Sequence, residues 1–234
     1  MNDQDPRSAG PGRSTAARTV RRELERLGLL LASDARIPSV TSLVAGGPIR
    51  GSWWGHPAGH AIYQVLGELE DGNEVLMVKL IAGKITLVHR RLWPEVFGVG
   101  LGREPWQLRG LSPTASLLLK RLDSVHAFRA DELPEAFPPP AHDARAAMRE
   151  LERRLLAVTT SVHTASGAHS LRLEGWPAVG KRLGWHARPV RPESARRRLE
   201  DAVRELTGFA DVGRLLPWPS SGARRARPGA AAPA

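Results

Sequence analysis

Five histidines in three places are the side chains of this 234-residue chain best suited to chemistry near neutral pH, where imidazole titrates and ligates divalent metals. His56 and His60 stand four apart in GSWWGHPAGH, His89 lies in VHRRLWP, and His163 and His169 bracket HTASGAH. Spaced four apart on a helix, His56 and His60 would share one face, as zinc-binding pairs do. Pro57 places His56 at the helix cap, however, and no glutamate follows the first histidine as it does in HExxH. Were the three places to converge, they would form an acid–base or metal-dependent site. A single sequence does not show convergence, and histidines hydrogen-bonded at caps are the commoner arrangement. The five stand as candidate catalytic residues with the metal unknown. No cofactor is predicted, and a divalent metal is the one kind these residue types would accommodate.

A second constellation is cationic and aromatic. Arg90-Arg91-Leu92-Trp93 and Arg103-Glu104-Pro105-Trp106-Gln107-Leu108-Arg109 interleave arginine with tryptophan, in a chain with seven Trp but one Tyr and four Phe. Guanidinium groups contact phosphate, and aromatic faces stack unpaired bases at about 1–3 kcal/mol each. The pattern predicts Arg90, Arg91, Arg103 and Arg109 as phosphate contacts, with Trp93 and Trp106 as stacking surfaces. Core packing competes for every tryptophan, because the indole is a large filler whose N–H needs only one partner.

The formal charge is +10, from 34 Lys and Arg against 24 Asp and Glu. It is distributed unevenly. Residues 51–78 hold no cation and four acids (Glu68, Glu70, Asp71, Glu74), whereas residues 79–126 carry eight cations against three acids, and a second basic stretch runs from Arg145 to Arg188. Three more arginines, Arg224, Arg225 and Arg227, lie near the C-terminus. A basic surface attracts polyanions, so nucleic acid, DNA or RNA, is the expected partner. The absence of cysteine excludes disulfides, thiolate metal sites and cysteine nucleophiles. Neither GxxxxGK[ST], GxGxxG after a strand, nor GxSxG occurs, which disfavours nucleoside triphosphatases, dinucleotide enzymes and α/β-hydrolases. No apolar run reaches the ~18–20 residues of a membrane span, and the first residues lack a signal-peptide core. A cytoplasmic protein without a membrane partner is expected.

The elements that must position these residues follow from periodicity. Val20, Leu24, Leu27, Leu30 and Leu31 recur at helical spacing over residues 16–33. A short second helix fits IPSVTSLVAGG, and a third follows Pro57 through Ile62, Val65, Leu66 and Leu69 to Asp71-Gly72. EVLMVKLIAGKITLVHRRLWP reads as a β-hairpin turning at Gly83, and Ser112-Pro113 opens another helix. Met148, Leu151, Leu155, Val158 and Val162 predict one long helix with an arginine-rich polar face, and a last helix begins after Pro192. The expected fold class is α+β, mainly helical around a central hairpin. Three helices followed by a hairpin is a winged-helix-like order, here with a helical C-terminal region. The expected organisation is a tail at 1–15, the winged-helix-like part at 16–136, a linker at FPPP, a helical region at 141–216 and a basic tail at 217–234. No internal repeat is visible.

GSWWGHP, VKLIAGKITLVHRRLWP, REPWQLRGLS and HTASGAHSLRLEGW together resemble the motifs of a family of bacterial hypothetical proteins, over about residues 20 to 186. That resemblance implies neither a site nor an activity. Nucleic-acid binding is the leading expectation. Two others stay open: a histidine-based enzyme, such as a nucleic-acid-processing one, and a module that oligomerises through the stripe at 148–162.

Overall fold

Helix α1 (Thr15–Leu27) forms because Ala17, Val20, Leu24 and Leu27 fall on one face, and all four are buried. A computed structural model describes residues 15–133, 141–163 and 169–219 of the chain. The expectations for the FPPP linker and for most of both tails lie outside those residues. The chain leaves α1 through Gly28, whose φ of +80° ends the helix and turns the next residues into strand β1 (Leu29–Leu31). The helix expected to reach residue 33 therefore stops early, with Leu30 and Leu31 spent on a sheet.

Ser39 caps the short helix α2 (Val40–Ala45) through a reciprocal capping box with Ser42, and Gly46 ends it in the left-handed region. Helix α3 (Gly59–Glu70) follows, burying Ile62, Val65 and Leu69. The hairpin forms as expected from β2 (Val75–Ile81) and β3 (Lys84–His89). Ala82 and Gly83 both take positive φ at its turn, the pattern that matches the twist of paired strands. Strand β1 adds antiparallel to β3, giving a sheet ordered β1-β3-β2.

The same order of elements then recurs. Helix α4 (Trp93–Gly102) and the single turn α5 (Pro105–Leu108) lead into α6 (Pro113–Val125), with Ser112 as N-cap as expected. His126, at φ +63°, turns the chain into β4 (Ala127–Arg129) as Gly28 does after α1. Helix α7 (Ala141–Arg153) precedes β5 (Val158–His163) and β6 (His169–Glu174), and this sheet is ordered β4-β6-β5. Helix, edge strand, helix and hairpin thus occur twice, although no period in the sequence announces it. The fold is α+β with small antiparallel sheets.

Two expectations are corrected here. The long helix through 148–162 ends at Arg153, and residues 158–163 are strand, so the region 141–216 is not helical throughout. Leu155 has φ +52°, and Val158-Thr159-Thr160 supplies β-branched residues that suit a strand. Met148, Leu151, Leu155 and Val158 of that stripe are buried inside the fold, and Val162 is half-buried. The chain also stays packed beyond residue 216: Trp218 is buried and donates its indole N–H to Glu200 at 2.8 Å.

Helix α8 (Trp176–Arg182) and helix α9 (Pro192–Thr207) close the core against α4. That approach depends on small residues, since a Cβ on Gly100 would lie 2.0 Å from the Trp176 ring. No helix of the described residues is long and apolar enough to cross a membrane. Gly100→Ala should cost about 1–3 kcal/mol by overpacking. Gly67→Ala, on the open side of α3 where a Cβ meets nothing within 4 Å, should add up to about 1 kcal/mol. Urea unfolding of both variants measures the opposite signs.

Candidate nucleic-acid interface

Of the six residues expected to meet nucleic acid, two remain open. Arg90 and Arg109 are exposed, and neither guanidinium has a partner among the described residues. Arg91 folds back onto the C-terminus of α1 and donates to the Arg26 carbonyl at 2.9 Å, where the helix dipole favours a cation. Arg103 pairs in bidentate fashion with Asp123, one bond being 2.8 Å, and this ion pair raises its pKa above the usual arginine value. Trp93 is 2% exposed and donates to the Val88 carbonyl at 3.1 Å. It is a core residue, so its expected role as a stacking surface is withdrawn. Trp106 is half-buried, donating to Glu104 at 3.0 Å with its ring edge-on to Trp218. Among the described residues the tryptophan open to solvent is instead Trp54, 68% exposed and stacked on the half-buried Trp53 with ring centroids 4.2 Å apart.

The histidines occupy separate places. The His56 ring accepts from the Ala58 N–H at 3.1 Å, the cap arrangement weighed from the sequence. His60 is exposed on α3. His89 caps the turn after β3, its Nδ1 facing the Arg91 N–H at 3.4 Å, and it lines a small cavity with Arg21, Glu25 and Glu74. His163 and His169 stand opposite one another in the β5–β6 register, and their side chains lie outside the described residues. Among the described residues no group of three or more His, Cys, Asp or Glu is placed to hold a metal.

Helix α7 carries the arginine-rich polar face expected from the sequence, although none of its arginines was among the expected phosphate contacts. Arg145, Arg149 and Arg153, each four residues from the next, are all exposed and have no ion-pair partner among the described residues. The opposite face, with Ala144, Ala147, Met148 and Leu151, is buried, which holds the arginine row outward. Arg153 joins Lys79 and Arg214 around a shallow cavity of about 230 Å³. Helix α7 precedes β5 as α3 precedes β2, yet α3 carries no cation at all. The sequence signal was the spacing of four, obscured because the apolar pattern seemed to continue past the end of the helix.

A second cavity, about 340 Å³, separates the two sheets. Val75, Met77, Lys79 and Ile85 line one wall, with Thr159, Ser161 and Leu171 on the other. Glu152 lies at its edge, 6% exposed, bonded to Lys79 at 2.6 Å and accepting the Thr159 hydroxyl. Lys79 and Glu152 are 73 residues apart in sequence, so no local motif joins them.

Burial, the largest effect, pushes the His89 pKa below its ordinary value; nearby Arg91 and Arg90 act the same way, against Glu25 and Glu74. Below the unfolded histidine value of about 6.5, the unfolded chain therefore binds more protons at this position. His89 should lower stability as pH falls from about 7 to about 5. Melting temperatures of His89→Gln should fall less over that interval than those of the parent, and equal slopes would contradict the assignment.

No family model matches the chain, and no curated protein sequence does. Among solved structures, the Streptomyces sahachiroi DNA glycosylase AlkZ aligns with a TM-score of 0.46 at 12% identity, over 86% of this chain. The chain spans about half the length of that protein, the alignment covering 53% of it.

Proposed function

We propose that the protein binds nucleic acid through the exposed face of α7, with Arg145, Arg149 and Arg153 as phosphate contacts and Arg214 extending the positive surface. The observation that carries this reading is a row of three arginines, without ion-pair partners among the described residues, on a helix whose other face is locked into the core. Over eight residues the row is about 12 Å long, enough to follow successive phosphates. Helix α7 also stands in the position where a winged helix presents its reading helix, directly before the hairpin. The first copy of that arrangement does not compete, because α3 is acidic at its C-terminal end and would repel phosphate. Arg90 and Arg109 are retained as peripheral contacts. Arg91 and Arg103 are not, because a carbonyl and a carboxylate already engage them. The choice between DNA and RNA turns on groove geometry that arginine–phosphate contacts do not read.

Fluorescence anisotropy of a labelled duplex at increasing salt tests the proposal. Affinity should fall with a log–log slope of about −0.9 per phosphate neutralised. Changing Arg145, Arg149 and Arg153 together to Ala should lower the slope magnitude by about 2–3 and weaken binding at low salt by at least about tenfold. Arg103→Ala should leave both unchanged. An identical slope in the triple variant, or no binding by the parent protein at low salt, would defeat the assignment.

A further inference from the structure

The outward face of α3 has the opposite character, and it is built. Trp54 stacks on Trp53 and leans against Tyr63 with ring centroids 5.9 Å apart, while Trp54 and Tyr63 are 68% and 59% exposed. The backbone beneath the platform is tight, because a Cβ on Gly59 would meet the Trp53 and Trp54 carbonyls at 3.0 and 3.1 Å. Two turns further along the same face, Glu70 is exposed with no partner among the described residues, and Asp71 is exposed beside it. Gly67 lies between Tyr63 and Glu70 with nothing within 4 Å of a Cβ built on it. A mid-helix glycine costs stability relative to alanine, and no contact among the described residues requires this one. It leaves a shallow track from the rings to the carboxylates.

We propose that this track docks an extended arginine-bearing segment, and that its occupant is the chain's own Arg224–Arg227 run. The chemistry of the surface selects a cation: aromatic faces attract guanidinium groups, carboxylates do the same, and residues 51–78 hold no Lys or Arg to oppose it. A polyanion would meet the exposed carboxylates of Glu70 and Asp71 instead. The spacing agrees as well. Tyr63 and Glu70 are separated by about 10 Å along the helix axis, and residues three positions apart in a polyproline II chain, which returns to the same face every three residues, are separated by about 9 Å. Arg224 and Arg227 have that separation in GARRARPG. Arg227 would stack on Trp54 and Tyr63 while Arg224 faces Glu70 and Asp71, or the reverse. This interaction is independent of the α7 surface, so either proposal can fail without the other.

Acrylamide quenching of tryptophan fluorescence reads the contact in the full-length protein, because the exposed Trp54 contributes most to quenching in the uncovered state. Changing Arg224, Arg225 and Arg227 together to Ala should increase quenching, and the increase should vanish when the same change is made in Trp54→Phe. A synthetic GARRARPG peptide added to the tail variant at low salt should restore protection. Its affinity should fall about two- to fivefold in Tyr63→Ala and again in Glu70→Gln, with unchanged circular dichroism marking both as folded. Equal quenching with and without the tail arginines, together with no protection by the peptide, overturns the proposal. So does protection of Trp54 by a short single-stranded oligonucleotide where the peptide gives none, since that assigns the platform to nucleobases.

Discussion

The bend after α7 depends on one reciprocal set of hydrogen bonds. The Arg154 guanidinium donates to the carbonyls of Trp106, Gln107, Arg109 and Gly110 at 2.8–3.2 Å, filling the C-terminal end of α5 with a charge suited to it. In return Gln107, fully buried, donates to the Arg154 carbonyl at 2.9 Å, and the Trp176 indole donates to the Leu155 carbonyl at 2.7 Å. A buried carbonyl without a partner costs about 1–3 kcal/mol, so the carbonyls freed where the helix breaks need such donors. With them, the chain can leave the helical path at Leu155, and β5 can pair with β6. Just before the bend, Glu152 pairs with Lys79 across to the other sheet.

Two copies of one element order have been put to opposite electrostatic uses. In the first, the helix before the hairpin carries aromatic rings and acids; in the second, it carries a row of arginines. The apolar faces are alike in purpose, since Ile62, Val65 and Leu69 on α3 and Met148 and Leu151 on α7 are buried. Packing constrains only those inner faces. The outer faces are therefore free to diverge, and they have.

Local signals in the sequence proved readable where one residue decides the geometry. Gly83 marked the hairpin, Ser112-Pro113 the start of α6 and Pro192 the start of α9, because a turn or first helical turn needs those residue types. What the sequence concealed was decided by contacts at long range. The apolar stripe at 148–162 fits a helical period, but strand pairing with residues 169–174 and the clasp around Arg154 override it. Trp93 looked like half of an arginine–aromatic motif, yet its partner is the Val88 carbonyl on the preceding strand. The second copy of the element order stayed hidden because Gly28 and His126 perform the same turn with unrelated side chains, which no similarity of residues reveals.

A net charge of +10 suggests a uniformly positive molecule, but pairing redistributes it. Arg103 is matched by Asp123, Arg182 by Glu174, Arg196 by Glu104 and Arg198 by Glu95. At distances near contact each such pair cancels most of its own field, and solvent ions screen the remainder beyond about 8–10 Å. The arginines that keep their field are those whose elements bring no acid within reach. On α7, Glu150 turns towards Arg154 and Ser112, and Glu152 turns towards Lys79, so neither carboxylate neutralises the outward row. The positive surface thus arises from where the helix sends its acids as much as from its arginines. Substituting Glu for any residue of that outward row would weaken the surface twice over, by losing a cation and by restoring a local pair.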